Sequence, residues 1–264
     1  MHSVQHPHFP LAKAHDQNYA LGLFNLRLPG SAIATVTNAA LLAEPYTVGE
    51  AGREQVVVGH TGELGSFLTS YWTLPEEQTA VVVFANTFNI HGDPANLVSQ
   101  LLIQALFDFT PKIDFVEKAK QIKSNAAKRW DDAFRQFKEG RKTHVPKKDP
   151  SSYEGFFKNS KLGLTLRVWR LPEVSEHGID QSELRMQLNE EPDQIYDLYH
   201  YNDDRWTFMP ATRDEALRTG YSTYIDYWPT FLLRWIGSLD VIEWVLDPDE
   251  RVPPVQFNKV VDQS

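Results

Sequence analysis

The chain has 264 residues, 42% hydrophobic and 12% aromatic, with a net charge of −9. That length holds one large or two modest domains, and the composition belongs to a packed globular protein rather than a disordered one. It contains no cysteine, which excludes disulfides, thiolate nucleophiles and Cys-based zinc sites.

The opening, MHSVQHPHFPLAK, has neither the basic n-region nor the apolar core of a signal peptide. No later stretch approaches the ~18–20 apolar residues of a membrane span, so a cytoplasmic protein without a membrane partner is expected. His2, His6, His8 and His15 crowd residues 1–18, but Pro7 and Pro10 and the lack of clustered carboxylates favour an extended lead-in over a metal site. Tyr19–Leu28 alternates as a strand, Pro29-Gly30 turns, and residues 31–55 read as an irregular excursion. Val56–His60, Ser66–Leu74 and Thr79–Ala85 are three further strands with tight connections, hence an antiparallel meander. The last, TAVVVFA, is apolar on both faces and is expected at the centre of the sheet.

Asp93-Pro94 opens a helix with an N-cap acceptor and a proline where its missing N–H is harmless. Leu97, Leu101 and Ala105, with Val98 and Leu102 beside them, are expected to face the sheet. A second helix is predicted from about Ile113 to Glu139, with Phe115, Ala119, Ile122, Ala126, Trp130, Ala133 and Phe137 on one face and Gly140 as its cap. Residues 112–150 carry 12 of the 26 Lys+Arg and 6 of the 35 Asp+Glu. This basic block lacks interleaved aromatics and reads as a solvated helix face and linker, so no nucleic-acid partner is expected. After Tyr153 the chain turns to short aromatic and β-branched runs, with five of the seven Trp. A small sheet or open barrel follows from that pattern. The fold class expected is therefore α+β: an antiparallel sheet with a packed helix over 1–110, a helix and linker over 111–152, and a small β-barrel-like domain over 153–264.

One stretch carries chemistry: VVVGHTGELGSF, residues 56–67. An antiparallel edge strand ending on a small, glycine-flanked corner, as expected here, leaves main-chain N–H and C=O groups open to a ligand amide or ester, as in strand addition. Gly62 lets another backbone approach. Thr61 offers a hydroxyl, His60 an imidazole that exchanges protons near neutral pH, and the Glu63 N–H a donor at a developing oxyanion. The bland alternative is a structural histidine in a sheet. Ser70, His91 and Asp93 make a poor triad, because nothing places the serine on a strained turn. Glu76-Glu77 and Glu190-Glu191 read as solvated turns, and Asp247–Glu250 lacks the oxygens of a cation site.

The strand, His60-Thr61-Gly62, Gly65-Ser66-Phe67, Trp72-x-x-Pro75 and the AVVVFAN strand before a helix together resemble the C-terminal half of the serine β-lactamase-like and penicillin-binding-protein-like hydrolases, nearest the class C β-lactamase and D-peptidase branch (peptidase family S12). Tyr19–Phe24 (YALGLF) resembles the strand preceding that motif, and residues 153–264 are similar to the lipocalin-like domain appended to many such enzymes. The resemblance implies a partial transpeptidase-like fold and acyl transfer to an amide, ester or lactam through an acyl-enzyme, without metal or organic cofactor. It assigns His60 a catalytic role and Thr61 and Gly62 substrate binding, to which the Glu63 N–H adds the oxyanion donor expected above. The family's Ser-x-x-Lys and Tyr-x-Asn motifs are absent, since no serine is followed three residues on by lysine. A truncated hydrolase, inactive alone and prone to self-association through an open sheet edge, is the expectation, with a pseudo-enzyme that keeps the fold remnant for another role as the second explanation of the missing motifs. The competing reading is a non-catalytic module whose β domain holds an apolar ligand or partner protein.

Overall fold

A computed structural model describes residues 2–11, 17–31, 33, 36–64, 66–88, 91–142, 148–177, 180–218, 227–247, 249 and 251–260. His15 and Gly65 lie outside them. Two compact units result, Met1–Arg129 and Trp130–Ser264.

In the first unit a helical turn, α1 (His2–Gln5), precedes strands β1 (Phe9–Pro10), β2 (Gln17–Tyr19) and β3 (Phe24–Leu28). A short helix, α2 (Val36–Ala40), leads to β4 (Gln55–Leu64), β5 (Phe67–Leu74) and β6 (Thr79–Asn86). The six strands form one antiparallel sheet in sequential order, as a meander with tight connections requires. Residues pointing to one face bury Leu26, Leu28, Val57, Trp72, Leu74 and Val81 in a shared core.

Sequential order corrects the position expected for β6. It is an edge strand, not a central one, and Val82 and Phe84 are exposed. A run of β-branched residues looks the same whether a second layer covers it or not, so pattern alone misplaced it.

Over β5 and β6 packs α3 (Pro94–Leu106). Its N-cap is the expected Asp93, whose carboxylate accepts from the Asn96 N–H at 3.0 Å. The facing expected for this helix is overturned. Leu97 is buried, but Val98, Leu101, Leu102, Ala105 and Leu106 point outward, and Asn96, Ser99, Gln100, Ile103 and Gln104 point in. Hydrogen bonding explains the inversion. Asn96 Nδ2 donates to the Ile33 carbonyl (2.8 Å), Gln100 Nε2 to Asn96 Oδ1 (2.6 Å) and Asn38 Nδ2 to the Asp93 carbonyl (3.0 Å). Tyr46 Oη donates to Gln100 Oε1 at 2.7 Å, and burial pushes that phenol up to about 12. Buried polar groups are tolerated when each finds a partner.

Helix α4 (Phe115–Gly140) is 26 residues long, and the division between the units falls inside it. The Asp114 carboxylate accepts from the N–H groups of Val116 and Glu117 at 3.0 and 2.9 Å and so caps it. Of the expected face, Phe115, Ile122, Trp130, Ala133 and Phe137 are buried.

The second unit is a closed barrel of eight antiparallel strands: β7 (Gly155–Asn159), β8 (Leu164–His177), β9 (Asp180–Leu188), β10 (Ile195–Asn202), β11 (Arg205–Thr207), β12 (Leu232–Ile236), β13 (Val241–Trp244) and β14 (Val255–Val260). Each pairs with the next, and β14 closes on β7 through Asn258↔Lys158 and Val260↔Phe156. A six-residue helix, α5 (Arg213–Arg218), interrupts the meander. The YWPTFLLRWI segment resolves into a 3-10 turn at Trp228–Phe231 followed by β12. Alternate residues point inward, and Phe157, Leu166, Leu184, Leu198, Trp206, Leu233, Trp235, Ile242 and Phe257 fill the interior, as a barrel of this strand number allows.

Candidate functional site

The motif at His60 sits on β4, which runs four residues beyond the expected end of the strand. His60, Thr61, Gly62 and Glu63 are therefore strand residues rather than a corner. Nor is β4 an edge strand in the ordinary sense, because β3 and β5 flank it. The two flanking registers differ in extent. Pairing with β3 covers Gln55↔Leu28 to Gly59↔Phe24 and stops, whereas pairing with β5 continues through His60↔Tyr71, Thr61↔Ser70, Gly62↔Thr69 and Leu64↔Phe67. From His60 onward β4 is a local overhang. In an antiparallel ladder alternate residues aim N–H and C=O to opposite sides, so main-chain groups within His60–Gly62 face the side where β3 has ended.

Gly59 fixes the root of the overhang. A Cβ there would lie 1.8 Å from the Tyr71 carbonyl oxygen and 2.8 Å from the Trp72 Cα, a clash with backbone that no rotamer relieves. Close approach of β5 at this point explains the glycine. At Gly62 the space a Cβ would take is limited by Thr69 Oγ1 at 2.5 Å. The missing side chain thus faces a neighbouring strand rather than an open approach for ligand.

His60 is half-buried at the end of the β2–β3 hairpin. Its ring stacks on Phe24 (centroids 4.7 Å, 15°) and meets Tyr19 edge-on (6.3 Å, 79°). Its Nδ1 bonds the Thr61 carbonyl, which can only accept, so Nδ1 donates. That leaves Nε2 as the ring's second polar atom. Thr61 is half-buried, and Gly62 and Glu63 are exposed. The single strand expected over Tyr19–Leu28 is instead a hairpin in which Tyr19 on β2 faces Phe24 on β3, and that pairing, not foreseen from the sequence, makes them the walls of the imidazole. The aromatic spacing in YALGLF was the available signal.

Beyond Thr61 lies the polar interior under α3. Ser70 is buried, accepts from Trp72 Nε1 at 2.9 Å and shares a 2.8 Å bond with Ser99 Oγ. Those bonds hold it as a structural hydroxyl, which removes it from any triad with His91. Burial raises the Asp93 carboxyl above its ordinary range; hydrogen bonds from the Asn96 and Ala95 N–H groups oppose the shift, and the charge of Glu63 adds to it. Among the described residues, no three His, Asp or Glu side chains cluster as metal ligands. Asp249 is engaged by Arg251 (2.9 Å from Nε) rather than poised for a cation. No helix among the described residues is long and apolar enough to cross a membrane.

Shallow grooves mark the barrel surface. One, of about 580 Å³, is lined by Arg185, Asp197, Tyr199, Met209 and Arg218 among others. Arg185 and Asp197 are already paired across β9 and β10 at 2.6 Å.

No family model matches the chain, and none of the curated proteins compared with it matches. Among solved structures, one described as "Crystal structure of SurE with D-Leu" aligns at 12% identity over 98% of this chain and 43% of that chain, with a TM-score of 0.23. The chain thus spans under half the length of that protein. A likeness this slight carries no argument about fold or function.

Proposed function

We propose that the first unit is an acyl-compound-binding sheet of the serine β-lactamase-like and penicillin-binding-protein-like kind, a partial transpeptidase-like fold, and that it holds an amide, ester or lactam alongside His60–Gly62. One observation carries the reading: β4 continues past the last β3 pair at Gly59↔Phe24, so its main chain offers strand-type hydrogen bonds on one side. The imidazole stands at the root of that overhang, braced by Phe24 and Tyr19, with Nε2 as its remaining donor or acceptor. In this reading the His60 imidazole hydrogen-bonds the bound acyl compound through Nε2, Thr61 and Gly62 align it, and the Glu63 main chain contacts its oxygen. Two main-chain bonds of this type contribute about 1–3 kcal/mol, which fits weak, orienting binding.

The chain has no Ser-x-x-Lys, so acyl transfer requires a nucleophile from outside these 264 residues. By itself the protein binds without turnover, and no metal or organic cofactor enters the scheme.

The test is a titration of the ¹⁵N-labelled chain with benzylpenicillin and with an N-acyl-D-alanine amide, followed by NMR. Shifts centred on His60, Thr61 and Gly62 are expected, weakened about tenfold, ~1.4 kcal/mol, in His60→Ala. A fluorophosphonate probe is expected to label no serine. Shifts confined to residues 153–264 would replace this reading with a barrel that binds the ligand. The described surface grooves of that barrel, one of them lined by Arg185, Tyr199 and Arg218, are where such a module would hold it.

A further inference from the structure

Two neighbouring elements are apolar where they meet solvent. β6 spans eight residues, TAVVVFAN, without a charge or a proline, and α3 (PANLVSQLLIQAL) is likewise uncharged in a chain with 61 charged side chains. Edge strands are ordinarily blunted by lysine, proline or a bulge. β6 has none of these, and its register with β5 runs unbroken from Thr79↔Leu74 to Asn86↔Phe67. Phe84 is 76% exposed, with Val82, Tyr71 and Phe67 beside it on the same open face.

We propose that the chain forms a two-fold symmetric homodimer in which β6 pairs antiparallel with β6 of a second copy. The two six-stranded sheets become one, and the two α3 helices pack against each other over the seam. Helical geometry selects the flank. On α3, Leu97 packs with Leu41, Phe115 and Ile122, and Gln104 bonds the Ile113 main chain, so that side is covered. At 100° per residue Leu102 and Leu106 fall on the opposite flank, toward β6, where they are 45% and 50% exposed.

Spacing then fits. α3 packs across β5 and β6, strands lie about 4.8 Å apart, and a two-fold axis half a strand spacing beyond β6 sets the α3 axes about 10 Å apart, the usual distance for packed helices. One operator thus pairs the bare β6 edge and covers the exposed α3 flank, and an isologous contact closes at two copies. A foreign strand added to β6 would leave the α3 flank unexplained. Neutral elements also let two molecules of net charge −9 meet without like charges at the seam.

Sedimentation velocity on the full chain tests the proposal. A two-chain species is expected at micromolar concentration. The pair Val82→Lys and Phe84→Lys, and separately the pair Leu102→Lys and Leu106→Lys, should each raise the dimer Kd at least about tenfold while circular dichroism stays unchanged. Val116→Lys, at an exposed apolar residue of α4, should leave it unaltered. A wild-type monomer at about 100 µM, a dimer indifferent to either pair, or open-ended growth would each overturn it.

Discussion

The two units solve opposite problems with the same kind of strand. The barrel pairs β14 with β7, has no free edge, and puts its apolar and aromatic side chains inside. The sheet unit keeps an edge at β6, lines part of its interior with Asn96, Ser99, Gln100 and Ser70, and turns Phe67, Phe84 and Leu102 outward. Closure lets a fold spend its hydrophobic residues on its own core. An open sheet leaves some of them for contacts with other molecules, and both the overhang at His60 and the seam at β6 follow from that openness.

If the contrast is real, the units should fail differently. The largest effect is expected at Phe257→Ala, which removes a fully buried ring of the barrel. A loss of about 3–5 kcal/mol should appear in denaturant unfolding, with loss of hydrogen-exchange protection confined to β7–β14. Next comes Gly59→Ala, where the methyl meets the Tyr71 carbonyl. About 3 kcal/mol of destabilisation should accompany lost protection in β4 and β5, while the barrel amides stay protected. Ser99→Ala strips Ser70 of one partner in the polar interior and should cost about 1–2 kcal/mol, measured by the urea midpoint. A result near zero would mean the interior is not held together by its hydrogen bonds.

The smallest effect sharpens the comparison through pH. Asp93 has a carboxyl raised above 3.8 in the folded protein, chiefly by burial. The folded state therefore binds more protons than the unfolded chain in the window just above 3.8, and stability should fall as pH rises through that window and then level off. Asp93→Asn keeps an N-cap acceptor for the Asn96 N–H and should flatten that slope. The urea midpoint followed from pH 4 to 7 decides it, and an unchanged slope would place the titration elsewhere.

Much of this architecture was readable from residue pattern. Tight turns between β-branched runs implied an antiparallel meander, Asp93-Pro94 marked the start of α3, and the aromatic runs after Tyr153 implied a small sheet or open barrel, which β14 closes on β7. What pattern could not convey was which surface a second layer covers. Both faces of TAVVVFAN look buried, so the edge position of β6 was missed. In α3 the polar residues Asn96, Ser99, Gln100 and Gln104 recur at helical spacing and would ordinarily mark the solvent side. The partners at Ile33, Asn38 and Tyr46, remote in sequence, and at Ile113 just past the helix turn that stripe inward. β14 escaped notice because VQFNKV alternates over only four residues, Val255 to Asn258, and has one buried residue, Phe257. At the candidate site the motif was legible by its letters. The overhang was not, because it depends on where β3 stops.

The closing seam of the barrel also sets an order on biosynthesis. Lys158 must find Asn258, a hundred residues downstream, so the ring cannot be completed until its last strand has left the ribosome. Neighbouring pairs such as β4–β5 can form while translation proceeds. Nascent chains stalled before Val255 should therefore carry a formed sheet and an unclosed, chaperone-accessible row of strands.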